Sequence, residues 1–120
     1  MKKEMDIKSL VGNLPVLQEI EKVEKDFYQL LKDKDIEPKC EADVERMERF
    51  FNKALRDMHD ILDKSGLDSF EKKFLKIKLT IDFHGRTAEM FGIDVMYFPQ
   101  LLGKYNSDLF TKAVNDFKLM

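Results

Sequence analysis

The sequence predicts an all-α protein, a compact single-domain bundle of four to six helices. Three long stretches repeat apolar residues at intervals of three and four, the spacing of one helix face. Glycine and proline fall mostly between those stretches rather than inside them. Hydrophobic residues make up 43% of the 120 and aromatics 11%, enough for a core that buries roughly two-thirds of the unfolded surface. The expected unit is one helical domain over 1–120, with 1–13 as a flexible N-terminal arm ahead of the first periodic stretch.

The first helix is expected over about 15–35. Val16, Ile20, Val23, Phe27 and Leu30 form its stripe, widened by Leu17 and Leu31, and Pro15 suits its first turn. The second, about 41–64, carries Val44, Met47, Phe51, Ala54, Met58 and Ile61. Glu41, Asp43 and Glu45 lie where the helix dipole favours carboxylates, Lys64 stands in the last turn, and Gly66 is the expected left-handed stop.

The third stretch satisfies two periods. Phe70, Phe74, Ile77, Ile81, His84, Ala88 and Phe91 repeat as a helix face, after an Asp68–Glu71 capping box. Leu75, Ile77, Leu79, Ile81 and Phe83 also alternate with polar residues, as in a strand. A strand would find a partner only in 93–98, and an isolated two-stranded hairpin is marginal in water. The helix is therefore favoured, paired with the second as an antiparallel hairpin (about 41–64 and 68–84) in which facing positions sum to about 133. Pro99 implies either an irregular 93–98 followed by a short helix or a kink. Ser107 is the expected cap of a last helix bearing Leu109, Phe110, Ala113, Val114 and Phe117.

Charge narrows the function. Twenty-one basic residues against 23 acidic ones give a net of −2, far from the basic excess of a phosphate-backbone binder. A single cysteine, Cys40, excludes a disulfide framework and a multi-cysteine zinc site. No run of 18 apolar residues exists, and the start leads into no apolar segment of the signal-peptide kind. These features lead to the expectation of a cytoplasmic protein with no membrane span.

Catalysis finds little support. There is no glycine-rich phosphate loop, HExxH or GxSxG motif. His59 and Asp63 share a helix face as a conceivable metal half-site, but the hairpin register puts His59 beside Phe74 and His84 beside Arg49, about 15 Å apart. His59 reads as a surface histidine, His84 as a half-buried, hydrogen-bonded one, and Cys40 as a plain thiol. No enzyme activity, cofactor, metal or small-molecule substrate is expected.

Nucleic acid gives an alternative. Ala88, Gly92, Ile93, Phe98 and Leu101 match the spacing of a helix-turn-helix over about 86–103, in which Arg86, Gln100 and Lys104 would touch DNA. The would-be recognition segment, however, contains Pro99 and lacks Arg and Lys between 94 and 103.

The favoured reading is a non-enzymatic protein–protein interaction module: an adaptor, an inhibitor or a small assembly subunit. Ten Phe and seven Met are generous for a small bundle, and both are adaptable contact residues. Met90, Met96, Tyr97, Phe98 and Leu102, around the Pro99 connection, form the expected partner-binding surface, with another protein or a second copy as partner. Small size and the lack of catalytic groups also suit phage or mobile-element accessory proteins.

Overall fold

The computed structural model describes residues 14–120; the N-terminal arm expected over 1–13 lies outside them. Five helices follow in order, with no strand among the described residues: α1 (Leu14–Asp33), α2 (Glu41–Asp63), α3 (Ser69–Met90), α4 (Phe98–Leu102) and α5 (Lys104–Leu119). The chain is an all-α bundle.

Each helix end has a local chemical cause. After α1, Asp35 takes φ 52°, Ile36 N–H donates to Leu31 O and Asp35 N–H to Lys32 O, a Schellman stop that turns Ile36 into the core. At the start of α3 the expected capping box is present in both directions. The end of α2 differs from expectation: Gly66 is not left-handed, because the Ser65 hydroxyl donates to Leu62 O and accepts from Leu67 N–H, closing the turn by itself. The left-handed stop falls instead at Gly92 after α3 (φ 67°), where Ile93 N–H donates to Ala88 O and Gly92 N–H to Glu89 O.

The segment 75–83, ambiguous by period, is helix, and α3 runs on through Gly85 to Met90. Residues on its two apolar stripes are shared between neighbours: Phe83 faces α1 and α2, while His84 meets α4 and α5. Gly85 is tolerated because the returning chain passes close by. A Cβ there would stand 3.2 Å from Val95 Cγ1. Pro99 sits in the first turn of α4, where its missing N–H costs nothing. The last helix starts at Lys104 rather than being capped by Ser107. Gly103, at φ 135°, makes the corner, and Ser107 N–H already donates to Gly103 O within the helix.

The core centres on aromatic rings. Phe51 and Phe83 stack at 4.3 Å between centroids, and Phe27 and Phe98 meet Phe51 edge-on at 5.9 Å each. Such contacts add about 0.5–1.5 kcal/mol each beyond area burial. Met47, Met58, Leu62, Ile36 and Leu102 fill the space around them. The Phe51–Phe83 pair sums to 134, close to the hairpin register anticipated above. Helix α1 packs on α2 and reaches α3 through long side chains: Phe27 onto Phe83, and Arg86 onto Glu24.

Candidate protein-binding surface

The Schellman stop at Gly92 throws the chain out of α3 and sends Ile93 partly inward. Asp94 then organises the return. Its carboxylate accepts from Met96 N–H at 2.8 Å, and its carbonyl accepts from Tyr97 and Phe98 N–H at 3.0 Å each. This tight turn leaves Val95, Met96 and Tyr97 outside before Phe98 dives into the core. Met96 is 64% exposed, Tyr97 53% and Met90 45%. Among the described residues the exposed large hydrophobics are Met90, Val95, Met96, Tyr97, Tyr105 and Leu119, and all of these but Leu119 fall between 90 and 105.

Beside Met90 a cleft of about 380 Å³ opens between the α1–α2 connection (Glu37, Pro38, Lys39) and the end of α3 (Met90, Phe91). Apolar Met90, Phe91 and Pro38 are set there among the charged Glu37 and Lys39.

The structure divides the expected partner-binding residues. Met90, Met96 and Tyr97 are exposed. Phe98 and Leu102 are corrections: at 0% and 3% exposure they are core, because α4 turns one face inward and Phe98 packs edge-on against Phe51 and His84. Val95, Tyr105 and the Glu37–Lys39 wall of the cleft were not anticipated. Val95 and Tyr105 sit beside residues that were, but nothing in the sequence brings 37–39 to Met90.

The expected nucleic-acid residues do not form a groove reader. Arg86 is clamped by both oxygens of Glu24, at 2.7 and 2.6 Å, and Lys104 pairs with Asp108 at 2.8 Å. Gln100 is exposed on α4, but that helix has five residues, about 7.5 Å of length, and no Lys or Arg. A recognition helix needs several side chains on base edges along the major groove.

The other chemistry-bearing side chains are tied up in a polar relay across the bundle. His84 Nδ1–H donates to Thr80 O at 2.7 Å, which leaves Nε2 to accept from Asn106 Nδ2 at 3.3 Å. Asn106 and Asn52 exchange two amide bonds, at 2.8 and 3.1 Å. His59 lies beside Thr80, not Phe74 as the hairpin register implied. Its Nε2–H donates to Thr80 Oγ1 at 3.0 Å, and that hydroxyl donates onward to Lys76 O. His84 likewise lies against Phe51 rather than Arg49. Both histidines thus converge on one threonine. Burial depresses both imidazoles, His84 to about 4, and Lys76 adds to the effect at His59.

Between α1 and α3, burial opposes ionisation of Glu24. The hydrogen bonds from Arg86 and Tyr28 outweigh it and hold the carboxyl below its usual range. Burial, with the bond to Glu24, pushes Tyr28 up to about 12. Among the described residues no group of three or more His, Cys, Asp or Glu is placed to hold a metal ion, and no helix is long and apolar enough to cross a membrane. Cys40 is an exposed free thiol at the start of α2.

Fold and surface together define an all-α bundle with an exposed Met/Tyr turn between its third and fourth helices. Comparison with protein-family models, with curated proteins and with solved structures finds no match.

Proposed function

We propose that the protein is a non-enzymatic interaction module, an adaptor, inhibitor or small assembly subunit of the cytoplasm, that binds another protein through the surface around Met90, Val95, Met96 and Tyr97. The observation that carries this reading is the run of exposed large hydrophobics between 90 and 105 among the described residues, three of which, Val95, Met96 and Tyr97, stand on a turn braced by Asp94. Exposed large apolar side chains are contact formers at interaction surfaces, and methionine and tyrosine adapt well to partner contours.

The test is affinity capture with tagged protein, with and without nuclease, comparing wild type with a Met90→Asp/Met96→Asp double variant. A stoichiometric protein partner that survives nuclease and is lost from the double variant, while its circular dichroism and melting are unchanged, supports the proposal. Capture that the double variant retains, or that nuclease removes, defeats it. Phe98→Asp is the contrasting control: a carboxylate in the aromatic core should unfold the bundle instead of selectively removing binding.

A further inference from the structure

Helices α1 and α3 both pack on α2 but leave a groove between themselves. Among the described residues no Cα of α1 lies within 8 Å of one in α3. The groove is bridged by the Arg86–Glu24 ion pair and opens as two cavities of about 190 and 490 Å³ that share Leu17, Ile20 and Arg86 in their walls. The smaller is lined mainly by Leu17, Ile20, Leu62, Leu75 and Leu79. Leu17, Leu75 and Leu79 are only half-buried, so apolar side chains there are incompletely covered. Every charged residue in the walls is already paired: Lys78 with Asp82, Arg86 with Glu24, and Lys25 with Glu21. Such a groove offers little to an ion and favours an apolar occupant, because covering half-exposed leucines removes apolar surface from water. None of Met90, Val95, Met96 and Tyr97 lines it, so the site is separate from the surface of the proposed function.

Where the chain joins α1 decides which occupant. Residues 1–13 lead into Leu14, which stands about one helical turn from Leu17 in the groove wall. That segment carries Met5, Ile7, Leu10 and Val11, and it ends in Gly12 and Asn13, residue types that readily reverse a chain. Leu10 and Ile7 stand four and seven residues ahead of Leu14, a reach of up to about 13 and 23 Å. Leu17 and Ile20 lie only about 4.5 and 9 Å along α1 beyond it. So short a tether holds the segment near the groove at an effective concentration of about millimolar, an advantage that no free ligand of equal affinity shares. We propose that residues 7–11 fold back along α1 and dock their apolar side chains in the α1–α3 groove, so that the chain occupies this site itself and withholds it from other apolar ligands.

The test uses the full chain with labelled isoleucine, leucine and valine methyl groups. The expected result is nuclear Overhauser effects from Ile7, Leu10 and Val11 to Leu75 and Leu79 that do not change with protein concentration. A synthetic peptide of residues 1–13 is then titrated into wild type and into full-length Ile7→Asp/Leu10→Asp. The variant, its groove vacated, should bind the peptide at least about tenfold more tightly than wild type does, with amide shift changes on 17–20 and 75–82. Absence of the Overhauser effects overturns the proposal, as does equal affinity of the peptide for the two proteins or no binding to the variant. Effects found only between differently labelled chains in a mixed sample also overturn it, because a second copy would then be the occupant.

Discussion

Thr87 shows how a single side chain can be at odds with its surroundings. Among the described residues its buried hydroxyl makes no hydrogen bond of full geometry, although it lies close enough to the Tyr28 hydroxyl to lower that group's pKa. An unmade hydrogen bond costs about 1–3 kcal/mol in a buried site, whereas an apolar side chain of the same shape costs nothing of that kind. Thr87→Val should therefore raise the unfolding free energy by about 1 kcal/mol in urea denaturation; a loss of stability would mean that the hydroxyl has a partner in solution. His84 presents the opposite case, since both ring nitrogens are satisfied and the ring is fully buried. Its apolar spacing in the sequence pointed to a half-buried, hydrogen-bonded histidine, and the structure buries it completely. Its partners could not be anticipated, because Asn106 lies 22 residues away and Asn52 further still.

The helices differ in how openly their ends were written. The Asp68–Glu71 box and the acidic first turn of α2 are local chemistry, and both stand where the sequence put them. The stops were harder to read, because a left-handed residue is only one way to end a helix. Ser65 ends the α2 turn through its hydroxyl, and Asp35 takes the left-handed position without being glycine. Gly92 is where glycine matters: φ 67° is strained for any side chain, although a Cβ would meet nothing within 4 Å. Gly92→Ala should cost about 1 kcal/mol in thermal unfolding, and Asp35→Gly should cost nothing or stabilise slightly. If both are neutral, the Schellman stops do not hold the ends of α1 and α3. The last helix was misjudged at Ser107 because serine is a common cap, while the Gly103 corner depends on how tightly α4 and α5 fold together.

The bundle as a whole responds to pH through its histidines. His84 is neutral when folded, with its pKa depressed from 6.5 to about 4, so the unfolded chain binds the extra proton first. Stability is then fully present above about pH 6.5 and falls as the pH drops toward 4, by up to about 3 kcal/mol from this one group. His59, shifted in the same direction, adds to the loss. Urea unfolding at pH 7 and pH 4.5 checks the sign, and His84→Gln should flatten the dependence. Equal stability at the two pH values would show that the relay admits a proton without cost. Helical periodicity, capping residues and the balance of charge were enough to establish an all-α bundle and most helix boundaries, because those properties rest on neighbours three or four residues apart. Which apolar residues stayed outside could not be settled that way. Phe98 and Met96 are both large and apolar and stand two positions apart, yet one is fully buried and the other 64% exposed. That difference was made by the Asp94 turn and by the ring contacts that Phe51 and His84 offer to Phe98. The cleft beside Met90 depended likewise on the α1–α2 connection arriving from 50 residues away, a juxtaposition that only packing of the whole chain creates.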